Sequence, residues 1–487
     1  MTRALCAVLT LLLAGCPAPS GEPDEPTPAP AVDDEGPGPL AAGVSIRRVA
    51  INQASEAAIE RFGELVEDPP LRPIAGREGL IRVYLNLDDG FEERRLLGVL
   101  TLVQPDGFSV TYTVDESIRG PSLEEDLDTT VDFALPAADL EVGTRLLVEI
   151  RELTGDPDAQ GPDTARWPED GVPQDILVSD WGGVLRVAIV PVKYTFDGTD
   201  RMPDTSPEQL ALLESWLLRL YPVREVQLTV LEEYATELEL NGSSDRMSDL
   251  LAEIRDLRQE RGVPFDTYTY GMVKPAEELS TYCAGGCTLG IAYRVGNPNT
   301  HWLRSGVGMG YSGERTALTM AHEVGHNHDR GHAPCGGAGN TDPDFPSSTG
   351  GIVTWGFDIV ERTLVDPEQT ADFMGYCDPQ FVGAYQFAAL QTRLNQVEGL
   401  SGIFDRSPEE WLFVELRSSG GRSTGLRTLN VPPDGEPTAI RWVGAEQADD
   451  VGYFHDIADA PGAGTLVTPP PPPGATAVVV GERTIAL

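Results

Sequence analysis

The sequence of 487 residues predicts a multidomain protein in which a central α/β unit is flanked by an N-terminal antiparallel β-sandwich and a small C-terminal β domain. Length is the first observation, because roughly 150 residues per domain allows about three domains. Periodicity is the second: apolar and polar residues alternate near the N-terminus, strand-like and helix-like segments alternate in the middle, and the C-terminal part is again β-rich. Apolar residues make up 40% of the chain, so wholesale disorder is excluded.

The chain is strongly acidic, with 77 Asp and Glu residues against 35 Lys and Arg residues and a net charge of −42. Because phosphate binding requires positive charge, this balance excludes nucleic acid as a partner. It also argues against a basic membrane-binding face.

Residues 1–16 predict an export signal. Arg3 precedes a ten-residue apolar run from Ala4 to Leu13, which is too short to span a bilayer. Small residues then lead to Cys16, and this order resembles the lipobox of bacterial lipoproteins, in which the cysteine becomes the lipidated first residue. We therefore expect an exported protein on the bacterial cell envelope whose contact with the membrane is this anchor; an ordinary signal peptide is the alternative.

Residues 17–42 are expected to form a tether. The stretch from Pro17 to Leu40 is acidic, contains eight prolines and has no aromatic residue, so it cannot bury a core. At about 3.1 Å per residue its reach is at most roughly 70 Å.

Residues 43–152 have the period of two that is typical of half-buried strands, and turn residues separate the segments. This pattern predicts an immunoglobulin-like sandwich that acts as a spacer or binding module. The alternating segments include Ile81–Leu87, Phe108–Val114 and Leu146–Ile150.

Residues 183–402 have the alternating order of an α/β layer. Leu185–Val192 is a nearly continuous apolar run, as in a buried strand. Ser206 and Pro207 form a helix start, and Leu210, Leu213, Leu217 and Leu220 follow at helical spacing. A second helix is predicted around Met247–Leu257, and further strands at Val226–Val230, Thr267–Val273, Gly290–Val295 and Val307–Tyr311.

Residues 405–487 predict the C-terminal β domain. A proline run, Pro469–Pro473, precedes the apolar segment Ala477–Val480. No chemistry is predicted in this region, and His455 is expected to be a surface histidine.

Four cysteines remain once the signal segment is removed: Cys283, Cys287, Cys335 and Cys377. An even number in an exported protein predicts two disulfides, among three possible connectivities. Metal binding by Cys283 and Cys287 is the rival use, although their spacing lacks a matching second pair.

The histidines carry the main functional signal, because four of the six lie between His322 and His332. Ser312 is expected to cap a helix on which His322 and His326, four residues apart, share one face and converge on one Zn²⁺. Glu323 would lie beside the metal as a general base for attacking water, which is the H-E-x-x-H logic of metalloproteases. Two helix-face histidines without metal are the alternative.

His332 lies six residues beyond His326, so 600° of helical rotation would point it away from the shared face. The chain must therefore turn sharply after His326 if His332 is to reach the same ion.

The residues from His322 to His332 resemble the metzincin metallopeptidases, whose pattern is H-E-x-x-H-x-x-G-x-x-H. The resemblance implies zinc ligands at His322, His326 and His332 and a general base at Glu323. Asp329 stands where the family has the glycine of the turn, and aspartate is one of the few other residues that tolerate a left-handed backbone. His328 and Asp329 remain alternative third ligands.

A second match lies at Asp372–Cys377, which resembles the methionine turn beneath the metal in metzincins. Met374 would be the floor methionine, and Tyr376 would bind zinc or stabilise the transition state. The resemblance covers Leu185–Gly399, including a closing helix around Tyr385–Leu394, and within the clan it is nearest to gametolysin-type or dacrolysin-type peptidases. In this arrangement Cys335 would pair with Cys377, and Cys283 with Cys287.

These features predict a monomeric, zinc-dependent endopeptidase that hydrolyses extracellular proteins or glycoproteins. One alternative is a non-catalytic surface binding or adhesion lipoprotein with a structural zinc site, although such a site needs no base and usually has four protein ligands. Another is a thermolysin-like site in which a distant glutamate replaces His332.

Overall fold

The computed structural model describes residues 37–156, 161–180, 183–400, 407–446 and 449–487. The predicted signal peptide, Cys16 and most of the tether lie outside these ranges. Within them the protein is multidomain and rich in β-structure, with five α-helices, as the sequence predicts. None of these helices is long and apolar enough to cross a membrane.

Two antiparallel sheets enclose the first core, which includes Val83, Leu100 and Val148. One sheet has the strand order β3-β2-β1-β4-β7, and the other has the order β10-β8-β5-β6, with β9 beside β8. The end of the predicted tether packs against the second sheet, since the Gly38 amide donates to Glu152 O of β8 at 3.0 Å and Ala41 is fully buried. The strands are β1 Val44–Asn52, β2 Glu56–Arg61, β3 Glu64–Leu65, β4 Gly79–Leu87, β5 Arg94–Val103, β6 Ser109–Ile118, β7 Val131–Leu135, β8 Arg145–Glu152, β9 Arg166–Trp167 and β10 Gln174–Asp175.

The central unit alternates strands and helices around one sheet. Its strands are β11 Val184–Tyr194, β12 Glu225–Val230, β13 Tyr234–Thr236, β14 Thr267–Val273, β15 Gly290–Ala292, β16 Ser305–Met309, β17 Gly356–Asp358, β18 Thr363–Val365, β19 Ala371–Asp372 and β20 Gln380–Phe381. Its helices are α1 Pro207–Leu220, α2 Ser244–Glu260, α3 Leu279–Tyr282, α4 Glu314–Asn327 and α5 Ala384–Glu398.

The main sheet has the order β12-β11-β14-β16-β15, with β13 also beside β11. The strands from β12 to β16 are parallel, whereas the edge strand β15 is antiparallel to β16. Alternate residues of β11 face opposite layers: Val187 and Ile189 pack with α1 and α4, and Val190 and Val192 pack with α2. Burial on both faces explains the nearly continuous apolar run of this strand.

Helices α1 and α4 begin differently. The Ser206 hydroxyl accepts from the Gln209 amide at 3.3 Å, as the sequence predicts for α1. The prediction that Ser312 caps α4 is wrong, because Gly313 is the cap residue, with a φ of 110° that favours glycine. The Ser312 hydroxyl instead donates to the Asp204 carboxylate.

A seven-stranded antiparallel sheet of order β22-β21-β25-β24-β23-β26-β27 forms the C-terminal part. Gly421 of β22 lies against Ile485 of β27, so the two end strands approach one another. The strands are β21 Glu409–Arg417, β22 Gly420–Leu429, β23 Glu436–Val443, β24 Asp449–Asp456, β25 Gly464–Thr468, β26 Ala477–Val480 and β27 Arg483–Ala486.

His455 corrects the expectation of a surface histidine. Its side chain is buried, and its ring meets that of Trp302 edge-on at a centroid distance of 5.1 Å. Burial, and then the nearby Arg255 guanidinium, lower the pKa of His455 to about 4. The histidine therefore belongs to the packed junction between the C-terminal sheet and the central unit.

Candidate metal centre

Four side chains converge at one end of α4: His322, His326, His332 and Asp459. The Nε2 atoms of His322 and His326 are 3.0 Å apart. One Asp459 oxygen lies 2.9 Å from His332 Nε2 and 3.8 Å from His322 Nε2, and the other lies 3.1 Å from His326 Nε2. Ligand atoms about 3.3 Å apart are what a tetrahedral ion with bonds of about 2.0–2.1 Å requires.

The outer nitrogen of each histidine is fixed by a backbone carbonyl. The Nδ1–H groups of His322, His326 and His332 donate to the carbonyl oxygens of Phe373, Arg330 and Gly339 at 2.8, 2.7 and 2.5 Å. This fixes the tautomer that leaves each Nε2 lone pair directed into the cluster. Three lone pairs and a carboxylate facing one point repel one another unless a cation lies between them, so the donor set fits a metal ion.

The turn that brings His332 back depends on Asp329, whose φ is 66°. The expectation that aspartate adopts the left-handed conformation here is confirmed. Its carboxylate pairs with Arg294 Nε at 2.9 Å, outside the cluster.

His328 is also outside the cluster. Its ring stacks on Tyr268 at a centroid distance of 4.5 Å, and its Nδ1–H donates to Val324 O at 2.8 Å. The structure therefore brings His332 to His322 and His326. The two alternative third ligands, His328 and Asp329, lie outside the cluster. No glutamate takes the third position among the described residues.

Glu323 lies beside the cluster without belonging to it. Its side chain is only 2% exposed, with one oxygen against Gly290 of the edge strand β15. Burial, and then the nearby Asp459 carboxylate, raise the pKa of Glu323 well above its ordinary value. A carboxyl group so placed can hold a proton next to the point where the three histidines converge.

Met374 lies beneath the cluster and is fully buried. Its sulfur lies against Gly325, where an added Cβ would come within 2.5 Å of it, so the glycine between the two helical histidines makes room for the methionine. The Asp372 carboxylate holds the turn by accepting from the amides of Met374 and Gly383, both at 3.0 Å. Burial raises the pKa of Asp372 to about 7.

The Tyr376 hydroxyl reaches the cluster from the exposed side. It lies 3.3 Å from His332 Nε2 and donates to the Asp459 carboxylate. Since the residue is 45% exposed, the ring can move without disturbing the core.

Two disulfides are present, Cys283–Cys287 and Cys335–Cys377. The second joins the segment after His332 to the residue after Tyr376, and the Tyr376 amide donates to Cys335 O at 3.2 Å. Cys283 and Cys287 therefore bind each other and no metal.

A cavity of about 850 Å³ opens beside the cluster. His322, Glu323 and Tyr376 form its inner end, and Leu289 and Gly290 bring the edge of the sheet into its wall. The volume is within the range of small-molecule and side-chain binding sites.

Asp459 is the site residue that the sequence did not predict. It lies 127 residues after His332, in the connection between β24 and β25, and its side chain is 6% exposed. Its local sequence, Ala458-Asp459-Ala460, resembles an ordinary turn and has no metal-binding spacing. The expectation that the C-terminal region contributes no chemistry is therefore wrong.

No protein-family model matches the chain, and no curated protein matches it. Among solved structures, one match is a chaperone–substrate complex, 12% identical over 55% of this chain and 44% of that chain, with a TM-score of 0.24. The match thus spans less than half of the other chain, and its TM-score is too low to support a conclusion about fold or function.

Proposed function

We propose that the protein is a zinc-dependent endopeptidase that hydrolyses extracellular proteins or glycoproteins. The observation that carries the proposal is the position of Glu323, which lies beside the histidine trio, contributes no ligand to it and faces the cavity. A site that only stabilises a fold has no use for such a buried acid, whose desolvation costs free energy.

The same arrangement supports a metzincin-like unit. The helix that carries His322 and His326 packs on a sheet whose antiparallel edge strand borders the cavity. The third histidine returns after a left-handed residue, and a methionine turn lies beneath. The returning third histidine and the methionine turn are features that the motif resemblance implies, and their proximity supports the proposal.

The proposed reaction uses groups that the chain holds ready. A zinc ion bound by the trio would lower the pKa of water to about 7 and polarise a peptide carbonyl. Glu323 takes the proton of the attacking water and later delivers it to the leaving amine. Tyr376, whose hydroxyl reaches the same point, donates to the carbonyl oxygen as it becomes negative.

The sequence adds the proposed setting. The lipobox-like segment ending at Cys16 and the acidic tether support display of the enzyme on the bacterial cell envelope by a lipid anchor, as a monomer. The two disulfides are compatible with an extracellular location.

A second candidate function is a non-catalytic binding or adhesion protein with a structural zinc ion. Asp459 favours it, because three histidines and one carboxylate would supply the four protein ligands of a closed site. Under this reading Glu323 and the cavity have no role.

The experiment compares zinc-loaded Asp459→Ala protein with the double variant that also has Glu323→Gln, using casein or gelatin in solution. We expect the first protein to digest the substrate, and the second to keep its zinc but lose activity by about 10²-fold or more. Glu208→Gln in the Asp459→Ala background is the matched control, since Glu208 is exposed in the first turn of α1. Equal digestion by both proteins, or none by either when both hold one zinc, would refute the proposal.

A further inference from the structure

We infer that residues 457–463, which we call the Asp459 loop, are a built-in inhibitor of the metal centre, with Asp459 as a removable fourth ligand. The inference rests on the proposed function, because an inhibitor is meaningful only where there is an activity to hold back. Three independent contacts of the loop support it.

The first contact is with the histidines. The Asp459 carboxylate lies 2.9 to 3.8 Å from the Nε2 atoms of His322, His326 and His332. A tetrahedral ion bound by three histidines has one position left, and a catalytic site keeps that position for water or substrate. Here an anionic side chain from the same polypeptide reaches it.

The second contact is with the residues that turnover requires. The Asp459 carboxyl group lines the same cavity as Glu323 and accepts from the Tyr376 hydroxyl. The loop thus lies beside the proposed base and binds the proposed oxyanion donor. A ligand that only completed a structural site would need neither.

The third contact is with the edge strand. The Ala458 amide donates to Ala292 O at 3.1 Å, Ile457 pairs antiparallel with Tyr293, and the Arg294 amide donates to Asp456 O at 3.3 Å. An extended substrate that added itself to this edge would use the same main-chain groups. The loop therefore covers the path of a substrate as well as the reactive point.

The orientation of the histidines does not depend on the Asp459 loop. Each histidine is oriented by a carbonyl of the central unit, and none of these carbonyls belongs to the loop. The loop is a connection between β24 and β25, closed by its own bonds from Ile457 N to Ala463 O at 3.1 Å and from Ala463 N to Ala460 O at 2.9 Å. Displacing the Asp459 loop would therefore uncover the trio and leave in place the three carbonyls that orient it.

The experiment measures binding of acetohydroxamate, a small bidentate zinc ligand, to the zinc-loaded full chain by calorimetry. We expect Asp459→Ala and Asp459→Asn to bind it at least about tenfold more tightly than the parent, since the tethered carboxylate no longer competes at millimolar effective concentration. Both variants should keep one zinc. Asp459→Asn preserves volume if alanine disturbs folding, and Asp449→Ala, exposed at the start of β24, should behave like the parent.

The outcomes separate this inference from the proposed function. Equal affinity in the parent and both variants would overturn the inference even if the protein digests casein. Loss of zinc from both variants would also overturn it, because Asp459 would then be a permanent structural ligand. If the Asp459 variants bind hydroxamate tightly but digest no substrate, Asp459 is a competing ligand and the proposed peptidase activity is refuted.

Discussion

The N-terminal sandwich and the C-terminal sheet pack against the same central unit but do different things there. The sandwich attaches through Arg77, whose buried guanidinium donates to the main-chain oxygens of Leu218, Tyr221 and Val223 at the end of α1. The C-terminal sheet attaches through both main-chain and side-chain bonds, and among the latter Arg255 of α2 donates to Glu415 and Thr465, both at 2.8 Å. Of the two regions as described, only the C-terminal one also reaches the histidine cluster, through Asp459.

Under the inferred inhibition, attachment to the central unit and control of the histidine cluster are separate properties of the two regions. Arg77 stabilises the end of a helix, and the histidine cluster includes no residue of the sandwich, so we interpret the sandwich as a support. The C-terminal sheet combines a buried ion pair, which fixes its position, with a loop that enters the site. Changes in the two anchors should therefore have similar effects on stability and different effects on access to the histidines.

The largest effect is expected from Arg255→Met. It leaves the fully buried Glu415 carboxylate without its main partner, which costs about 3–5 kcal/mol. Urea unfolding monitored by hydrogen exchange in the C-terminal sheet measures the loss, and acetohydroxamate should bind the zinc-loaded variant more tightly. Arg427→Met, which removes the partly exposed pair with Asp256, should cost at most about 1 kcal/mol. Equal losses of unfolding free energy in Arg255→Met and Arg427→Met would contradict the role of the buried ion pair in holding the C-terminal sheet.

Arg77→Met should cost about 2–3 kcal/mol, because it removes buried hydrogen bonds to the carbonyl oxygens of Tyr221 and Val223. Hydroxamate binding should not change, since no described residue of the sandwich belongs to the group of possible ligands. The control is Arg72→Met, whose side chain is exposed and whose carbonyl still accepts from Gln391 at 3.1 Å. A change in hydroxamate affinity for Arg77→Met would contradict the separation of support and control.

The two β regions should also respond to pH in opposite directions. Burial raises the pKa of Glu60 in the sandwich to about 7. The folded state then keeps a proton that the unfolded chain has lost above its ordinary pKa, so stability falls as pH rises from about 4.5 through 7. Between pH 5 and 8 we expect a loss of about 2 kcal/mol that is absent in Glu60→Gln. Exposed Glu64→Gln is the control, and an unchanged slope in Glu60→Gln would rule out this origin.

His455 should make the stability of the C-terminal sheet change with pH in the opposite direction. With a folded pKa of about 4, it stays neutral where the unfolded histidine is already protonated, so its stability contribution is lost as pH falls from about 6.5 to 4. Between pH 7 and 5 the parent should lose about 1.5–2 kcal/mol more than His455→Phe in thermal unfolding. Above pH 7 the two slopes should coincide; parallel curves throughout would contradict the assignment.

Local patterns predicted much of the central unit, because each depends on residues close in the chain. Strand β14 has the predicted bounds, and the leucines at helical spacing form the buried face of α1. The spacing of His322, His326 and His332, with one residue able to adopt a left-handed backbone, was enough to anticipate how they meet.

The features that were missed depend on long-range packing. Asp459 has no spacing relation to the histidines and joins their cluster only because the junction around Arg255 and Trp302 sets the sheet in place. For the same reason His455, an isolated polar residue in a polar-looking segment, could not be recognised as buried. Ser312 and Gly313 differ by one position, and the choice depended on the Asp204 carboxylate, which engages the serine hydroxyl.

The position of Asp459 late in the chain also sets an order of events during biosynthesis. His332 leaves the ribosome 127 residues before Asp459, an interval of about 6 to 25 seconds at about 5–20 residues per second. A growing polypeptide thus completes its three imidazoles while the carboxylate has not yet been translated. In the order of synthesis, the three histidines therefore precede the carboxylate that completes their cluster.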